Sequence, residues 1–128
     1  LKQPVLGTCV GMQLMCRYSE ENDTTCMGIF DVAVQRFESA PGYKVPHMGW
    51  NNITDYRSPL THHLPPEAYV YFVHSYAAPV CEHTVATCHY MRPFSAMLQR
   101  SFTAKLAEMP GSKSSKTSSH YDYCYSGY

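Results

Sequence analysis

The chain has 128 residues, enough for one ordinary domain, and 45 % apolar with 16 % charged residues is a globular composition rather than a disordered one. Ten Lys plus Arg balance ten Asp plus Glu, so charge gives no support for a nucleic-acid binder or a basic membrane-surface protein. No apolar run approaches the roughly eighteen residues that a membrane span needs.

The opening Leu1-Lys2-Gln3-Pro4 is neither an initiator methionine nor a signal peptide, which fits an internal fragment. Cysteines at positions 9, 16, 26, 81, 88 and 124 lack the spacing of a disulfide framework, so a reduced, cytoplasmic chain is expected. Residues 4–7 read as a short buried strand. They lead through Thr8-Cys9-Val10-Gly11 into residues 12–18, which are apolar and rich in helix formers. Residues 19–25 are a polar loop. Residues 28–37 carry Ile29, Val32, Val34 and Phe37 in loose alternation and predict a strand. Residues 44–54 hold Pro46 and Gly49 and suggest an edge strand or loop-strand.

After the break at Pro65-Pro66, residues 68–76 form the clearest strand, dense in β-branched and aromatic side chains. Tyr69, Tyr71 and Phe72 are assigned to its core side. Residues 83–90 predict another strand, and residues 94–104 one or two more. A strand, a turn, a helix and then a run of strands predict an α/β or α+β domain. Residues 105–128 contain six Ser, four Tyr and three Lys but one Leu and no Val, Ile or Phe, so a disordered tail is expected there.

Gly7-Thr8-Cys9-Val10-Gly11 has the form G-x-C-x-G between a strand and a helix, the thiol version of a nucleophile elbow. Such a turn is tight, so its flanks must lack bulk. The nucleophile projects from the sheet edge, a helix N-terminus behind such a cysteine favours the thiolate, and nearby backbone N–H groups can hold an oxyanion. The motif alone fits a small buried Cys in a glycine-containing turn equally well.

Residues 6–13 resemble the nucleophile segment of class I, triad-type glutamine amidotransferases. The resemblance implies that Cys9 attacks the glutamine side-chain amide, that Val10 or Cys9 itself lends a backbone N–H to the oxyanion hole, and that Gln13 helps hold the substrate. Ser19-Glu20-Glu21 also matches, which puts the family's glutamine-binding carboxylate on Glu21. A second segment, Pro46-His47-Met48-Gly49-Trp50-Asn51, is similar to a signature of one branch, the glutaminase subunit of imidazole glycerol phosphate synthase. Tyr71-Phe72-Val73-His74-Ser75-Tyr76 and Pro93-Phe94-Ser95-Ala96-Met97-Leu98-Gln99 resemble later segments of the same branch.

The resemblance implies an α/β, flavodoxin-like three-layer fold with a mostly parallel central sheet and a flanking antiparallel one. It implies glutamine hydrolysis without a cofactor, with the backbone around His74, Ser75 and Tyr76 binding substrate. It also implies a heterodimer in which Pro46 to Asn51 lie near a (β/α)₈-barrel cyclase that uses the ammonia for histidine biosynthesis. Ammonia must escape neither to water nor to protonation, which is a physical reason for an enclosed, partner-covered site.

Two departures stand out. The family's base and orienting carboxylate come from an F-H-P-E segment expected after Ser101-Phe102-Thr103-Ala104, where Lys105-Leu106-Ala107-Glu108 stands instead. The only later histidine is His120. The family's N-terminal βα portion, with its Gly-rich oxyanion loop, also has no counterpart here. The chain is therefore expected to hold a partial amidotransferase domain over residues 1–104 and a tail over 105–128. Shifted by one nucleotide, residues 105–121 can read K-T-G-G-D-A-G-E-Q-I-L-K-N-F-L-T-L, like the family's final helix. That suggests a non-triplet deletion which removed F-H-P-E.

Other features read more plainly. Cys81, His83, Cys88 and His89 fit no standard zinc spacing, and the adjacent Cys88 and His89 point to opposite faces of a strand, so no metal is expected. His62-His63 reads as exposed, and His74 alone as a structural histidine. Two other functional classes remain: a catalytically dead module that still docks the barrel, and an amidotransferase serving a different acceptor.

Overall fold

The computed structural model describes residues 3–103 and 119–125. In chain order the strands are β1 (Leu6–Thr8), β2 (Cys16–Ser19), β3 (Thr24–Thr25), β4 (Phe30–Arg36), β5 (His47–Thr54), β6 (Ala68–His74), β7 (Tyr76–Ala77), β8 (Thr84–Tyr90), β9 (Arg92–Thr103) and β10 (Ser119–Tyr125). A single α-helix among the described residues, α1 (Val10–Met15), follows β1, and short 3-10 turns lie at Glu21–Asp23 and Pro59–Thr61. The strands form a six-stranded sheet in the order β1-β10-β9-β8-β5-β6 and a four-stranded sheet in the order β3-β2-β4-β7. No described helix is long and apolar enough to cross a membrane.

Only β1 with β10 and β2 with β4 run parallel; the other pairs are antiparallel. The expected mostly parallel central sheet is therefore not seen among the described strands. The connections explain this. β8 turns directly into β9 at Met91, which takes φ 59°, and a connection that short can only join antiparallel strands.

The chain departs from the sequence reading in four further places. The predicted helix over 12–18 stops at Met15, because Cys16 to Ser19 give their backbone to parallel pairing with β4. Residues 4–7 are not a buried strand: Leu6 is 67 % exposed, and only Gly7 of β1 is buried. β5 is not an edge strand, since β6 pairs along its length and β8 pairs at Ile53 and Thr54. Pro46 lies just outside it, where its missing N–H costs no ladder bond. Residues 119–125 form β10, so the expected disorder does not extend to them. Tyr121, Tyr123 and Tyr125 alternate there, and tyrosine favours strands even where aliphatic residues are lacking. The remaining tail, and most of the frame-shift reading, lie outside the described residues.

The core has two parts. Met12 and Met15 of α1 pack with Phe30, Val32, Val34 and Leu98 between the helix and the two sheets. Phe37, Ile53, Val70, Phe72, Cys88 and Phe94 fill the second. The Arg100 guanidinium donates to the Ile29 carbonyl and ties β9 to the start of β4. Phe37, just past β4, is a shared hub with edge-on rings of His74, Phe94 and Tyr90 at 5.2, 5.7 and 5.8 Å.

The strand-to-helix turn depends on one glycine. A methyl group on Gly7 would sit 2.8 Å from the Gly11 carbonyl carbon and 2.9 Å from its oxygen, which is backbone against backbone and cannot relax cheaply. One on Gly11 would meet nothing within 4 Å. Of the two glycines of G-x-C-x-G, only the first is sterically required. Gly7→Ala is expected to cost about 1–3 kcal/mol in chemical unfolding, whereas Gly11→Ala, inside a helix, is expected to be neutral or to add about 0.5–1 kcal/mol.

Candidate active site

The cleft forms where β1 hands over to α1. Cys9 is the single residue between them and takes φ 54°, ψ −119°, a left-handed conformation costly for a side chain with a Cβ. Its carbonyl accepts from the Met12 and Gln13 N–H groups at 3.1 and 3.3 Å, so the helix starts at once. The N–H groups of Val10 and Gly11 are among the first of that helix and have no partner within it. The thiol beside them in sequence is half-buried.

A cleft of about 410 Å³ is lined by Cys9, Val10, Gln13, Glu21, Pro46, Val73, His74, Ser75 and Tyr76. Eight residues singled out from the sequence thus meet in one space: Cys9, Val10, Gln13, Glu21, Pro46, His74, Ser75 and Tyr76. Gln13 lies one turn along α1 and is nearly buried, and its Nε2 donates to the Tyr76 carbonyl at 3.1 Å. That bond joins the helix wall to the strand wall.

The two acidic residues divide. Glu20 Oε2 accepts from the Arg36 N–H at 2.7 Å, which spends it on the edge of β4. Glu21 has its N–H held by Ser19 Oγ at 3.2 Å and lines the cleft. Asn22 and Asp23 both take positive φ, at 56° and 49°, and fold the loop back over this end.

The stretch from Pro46 to Asn51 does not act as a unit. Alternation along β5 sends His47 and Asn51 inward and Met48 and Trp50 outward, the latter two 60 % and 70 % exposed. Trp50 meets Tyr71 edge-on across the β5–β6 ladder at 5.6 Å. Tyr69 lies on this outer face too and is 63 % exposed. That corrects its assignment to the core; of that trio only Phe72 is fully buried. His47 is buried instead of lying on the outer face, stacked between Tyr90 at 3.9 Å and Phe72 at 5.0 Å.

His47 Nδ1 and His74 Nε2 lie 2.8 Å apart, and His74 Nδ1 meets the Tyr76 carbonyl at 2.9 Å. Both ring nitrogens of His74 are thereby used, and neither is left to deprotonate Cys9. His120 is no substitute. Parallel pairing of Leu6 with Tyr123 puts His120 opposite a position three residues before Leu6. That is about 20 Å along the sheet from Cys9. No described histidine is hydrogen-bonded to the thiol.

Burial, then the neighbouring His74, pushes the His47 pKa down to about 4. Burial also lowers that of His74, against the opposing effect of the Tyr76 carbonyl. Cys88 is buried, and burial pushes its thiol up to about 12, while His89 next to it is exposed. The described residues gather no group of three or more His, Cys, Asp or Glu that could hold a metal. A second cleft of about 440 Å³, lined in part by Gln35, Phe37, Glu38 and Arg92, contains no nucleophile.

Residues 1–97 match the family model Glutamine amidotransferase class-I, and the chain belongs to that family. It is 54 % identical over 101 residues to a Bacteroides fragilis protein named imidazole glycerol phosphate synthase subunit HisH, covering 78 % of this chain and 52 % of that protein. The protein of the same name from Bacteroides thetaiotaomicron is 52 % identical over the same shares, and that from Xylella fastidiosa is 45 % identical over 78 % of this chain and 50 % of its own length. The chain spans about half the length of these curated relatives.

The histidine pair gives a pH signature. Both pKa values are lower in the folded chain than the ordinary 6.5, so between pH 6.5 and about 4 the unfolded chain binds more protons. Stability is complete above 6.5 and falls as pH drops through that window. Denaturant titrations at pH 7 and pH 5 are expected to differ by on the order of 1–2 kcal/mol, and His47→Phe to remove the larger part of the difference.

Proposed function

We propose that this chain carries the nucleophile and the glutamine-holding part of the glutaminase subunit of imidazole glycerol phosphate synthase. The observation that supports this most is the single cleft in which Cys9, Val10, Gln13, Glu21, Ser75 and Tyr76 meet. The names of the relatives point the same way.

In this reading Glu21 and Gln13 hold the α-amino-acid end of glutamine and the backbone at Ser75 and Tyr76 lines the opposite wall. The Cys9 thiolate adds to the carboxamide carbon, and the negative oxygen takes the Val10 N–H. The C–N bond then breaks, the nitrogen takes a proton and leaves as ammonia, and a γ-glutamyl thioester remains on Cys9. Water hydrolyses that thioester to glutamate and frees the thiol. Each proton transfer needs a base held by a carboxylate. The segment that supplies both in the family does not follow Ala104 here.

The ammonia passes to a (β/α)₈-barrel cyclase, which makes imidazole glycerol phosphate and aminoimidazole carboxamide ribotide in the cytoplasm. The outward apolar row of Met48, Trp50, Tyr69 and Val73 is a surface suited to covering by that partner. It also favours a second reading, a docking module that binds the cyclase without turnover.

The test mixes the 128-residue chain with a cyclase subunit and follows complex formation, glutamate and ammonia together. The expected result is a complex whose ammonia release is about a hundredfold or more below that of an intact relative. Turnover within tenfold of an intact relative would contradict the loss of the base, and absence of a complex would contradict the partner assignment.

A further inference from the structure

We propose that His47 and His74 are positioning residues of the Cys9 cleft: with Asn51 they form a one-way chain of hydrogen bonds that fixes the Tyr76 carbonyl on which the Gln13 amide hangs. The inference deepens the reading of that cleft as a glutamine site.

The direction follows from the end of the chain. The Tyr76 carbonyl can only accept, so His74 Nδ1, 2.9 Å away, carries a hydrogen. Burial keeps the ring neutral, and its Nε2 is then an acceptor. His47 Nδ1, 2.8 Å from that Nε2, must therefore donate. That leaves His47 Nε2 as an acceptor facing Asn51 Nδ2 at 3.4 Å. Asn51 is itself oriented, since Nδ2 also donates to the His89 carbonyl at 3.0 Å and Oδ1 accepts the Asn52 N–H at 2.9 Å. Reversing any link would require a carbonyl to donate.

The far end of the chain sits in the cleft. The Tyr76 carbonyl accepts from both His74 Nδ1 and Gln13 Nε2, which fills its two lone pairs. It is thus a support for Gln13 rather than a free group for a ligand. His74, expected from the sequence to bind substrate, acts through that support.

The location explains why a support is needed. The chain leaves the six-stranded sheet at His74 and enters the four-stranded sheet at Tyr76, with Ser75 between them. A crossing of one residue has no ladder of its own. Across it the Ser75 carbonyl accepts from the Phe37 N–H at 2.9 Å, and the histidine chain holds the next carbonyl. His47 cannot swing away, because it is directly opposite His74 in the β5–β6 register and is clamped between Tyr90 and Phe72.

The test uses the full chain with labelled histidine and glutamine. Imidazole ¹⁵N shifts of the unsubstituted protein report the tautomers directly, and both rings are expected neutral with the hydrogen on Nδ1. An Nε2–H tautomer at either ring overturns the chain. Asparagine offers an N–H near the place of imidazole Nδ1, so His74→Asn is expected to keep the Gln13 side-chain amide signals where they are. His74→Phe is expected to move them to the position of a free amide. A Gln13 amide unmoved by His74→Phe, or moved equally by both substitutions, overturns the proposal. With added glutamine, His74→Phe is expected to weaken binding about tenfold and His74→Asn to restore it. If the unsubstituted chain does not bind glutamine, the substrate reading fails while the tautomers and the Gln13 signals still decide the positioning role.

Discussion

The close approach of Gly7 to Gly11 is the constraint on which the rest of the site depends. It lets a strand become a helix across one residue, and that residue is Cys9 with φ 54°. Strain of that kind costs on the order of 1–3 kcal/mol and persists only where the surroundings over-determine it. Here they do: Met12 and Met15 are buried in the core one and two turns beyond, and the Met12 and Gln13 N–H groups close on the Cys9 carbonyl. The same short turn puts Val10 and Gln13 into one cleft with Cys9. Three residues of the cleft wall, Cys9, Val10 and Gln13, thus come from one stretch of five.

The opposite wall is built from the place where the chain changes sheets. β6 belongs to the larger sheet and β7 to the smaller, and Gln13 reaches from α1 to the carbonyl that follows the crossing. Glu20 and Glu21 fit the same plan. Glu20 closes the edge of β4 through the Arg36 N–H, which leaves Glu21 to face the cleft. Among the described residues, no histidine is hydrogen-bonded to the Cys9 thiol. His74 is near but spent on both nitrogens, and His120 lies far along the sheet.

Much of the site was legible in the sequence because its signals are local. G-x-C-x-G, the glutamine four residues on and the acidic pair after Ser19 all act over a few residues, and most predicted strands appear within a few residues of their observed bounds. Pairing was not legible. Which strands lie side by side, and that residues 119–125 add a strand beside β9, depends on contacts far apart in sequence. The helix over 12–18 ends early for the same reason, since pairing with β4 claims Cys16 to Ser19 for a strand. The inward course of His47 was in principle readable. His47, Asn51 and Ile53 alternate with Met48, Trp50 and Asn52, but a six-residue signature taken as one block hides a period of two. The exposure of Tyr69 follows from the same alternation along β6.

The central claim is that the cleft beside Cys9 receives glutamine. Its most direct measurement is a glutamine titration of the full chain followed through its backbone amide signals. The account expects shifts concentrated at Val10, Gly11, Gln13, Glu21, Ser75 and Tyr76, with the second cleft near Gln35 and Arg92 silent. Shifts confined to that second cleft, or none at any glutamine concentration, would contradict it.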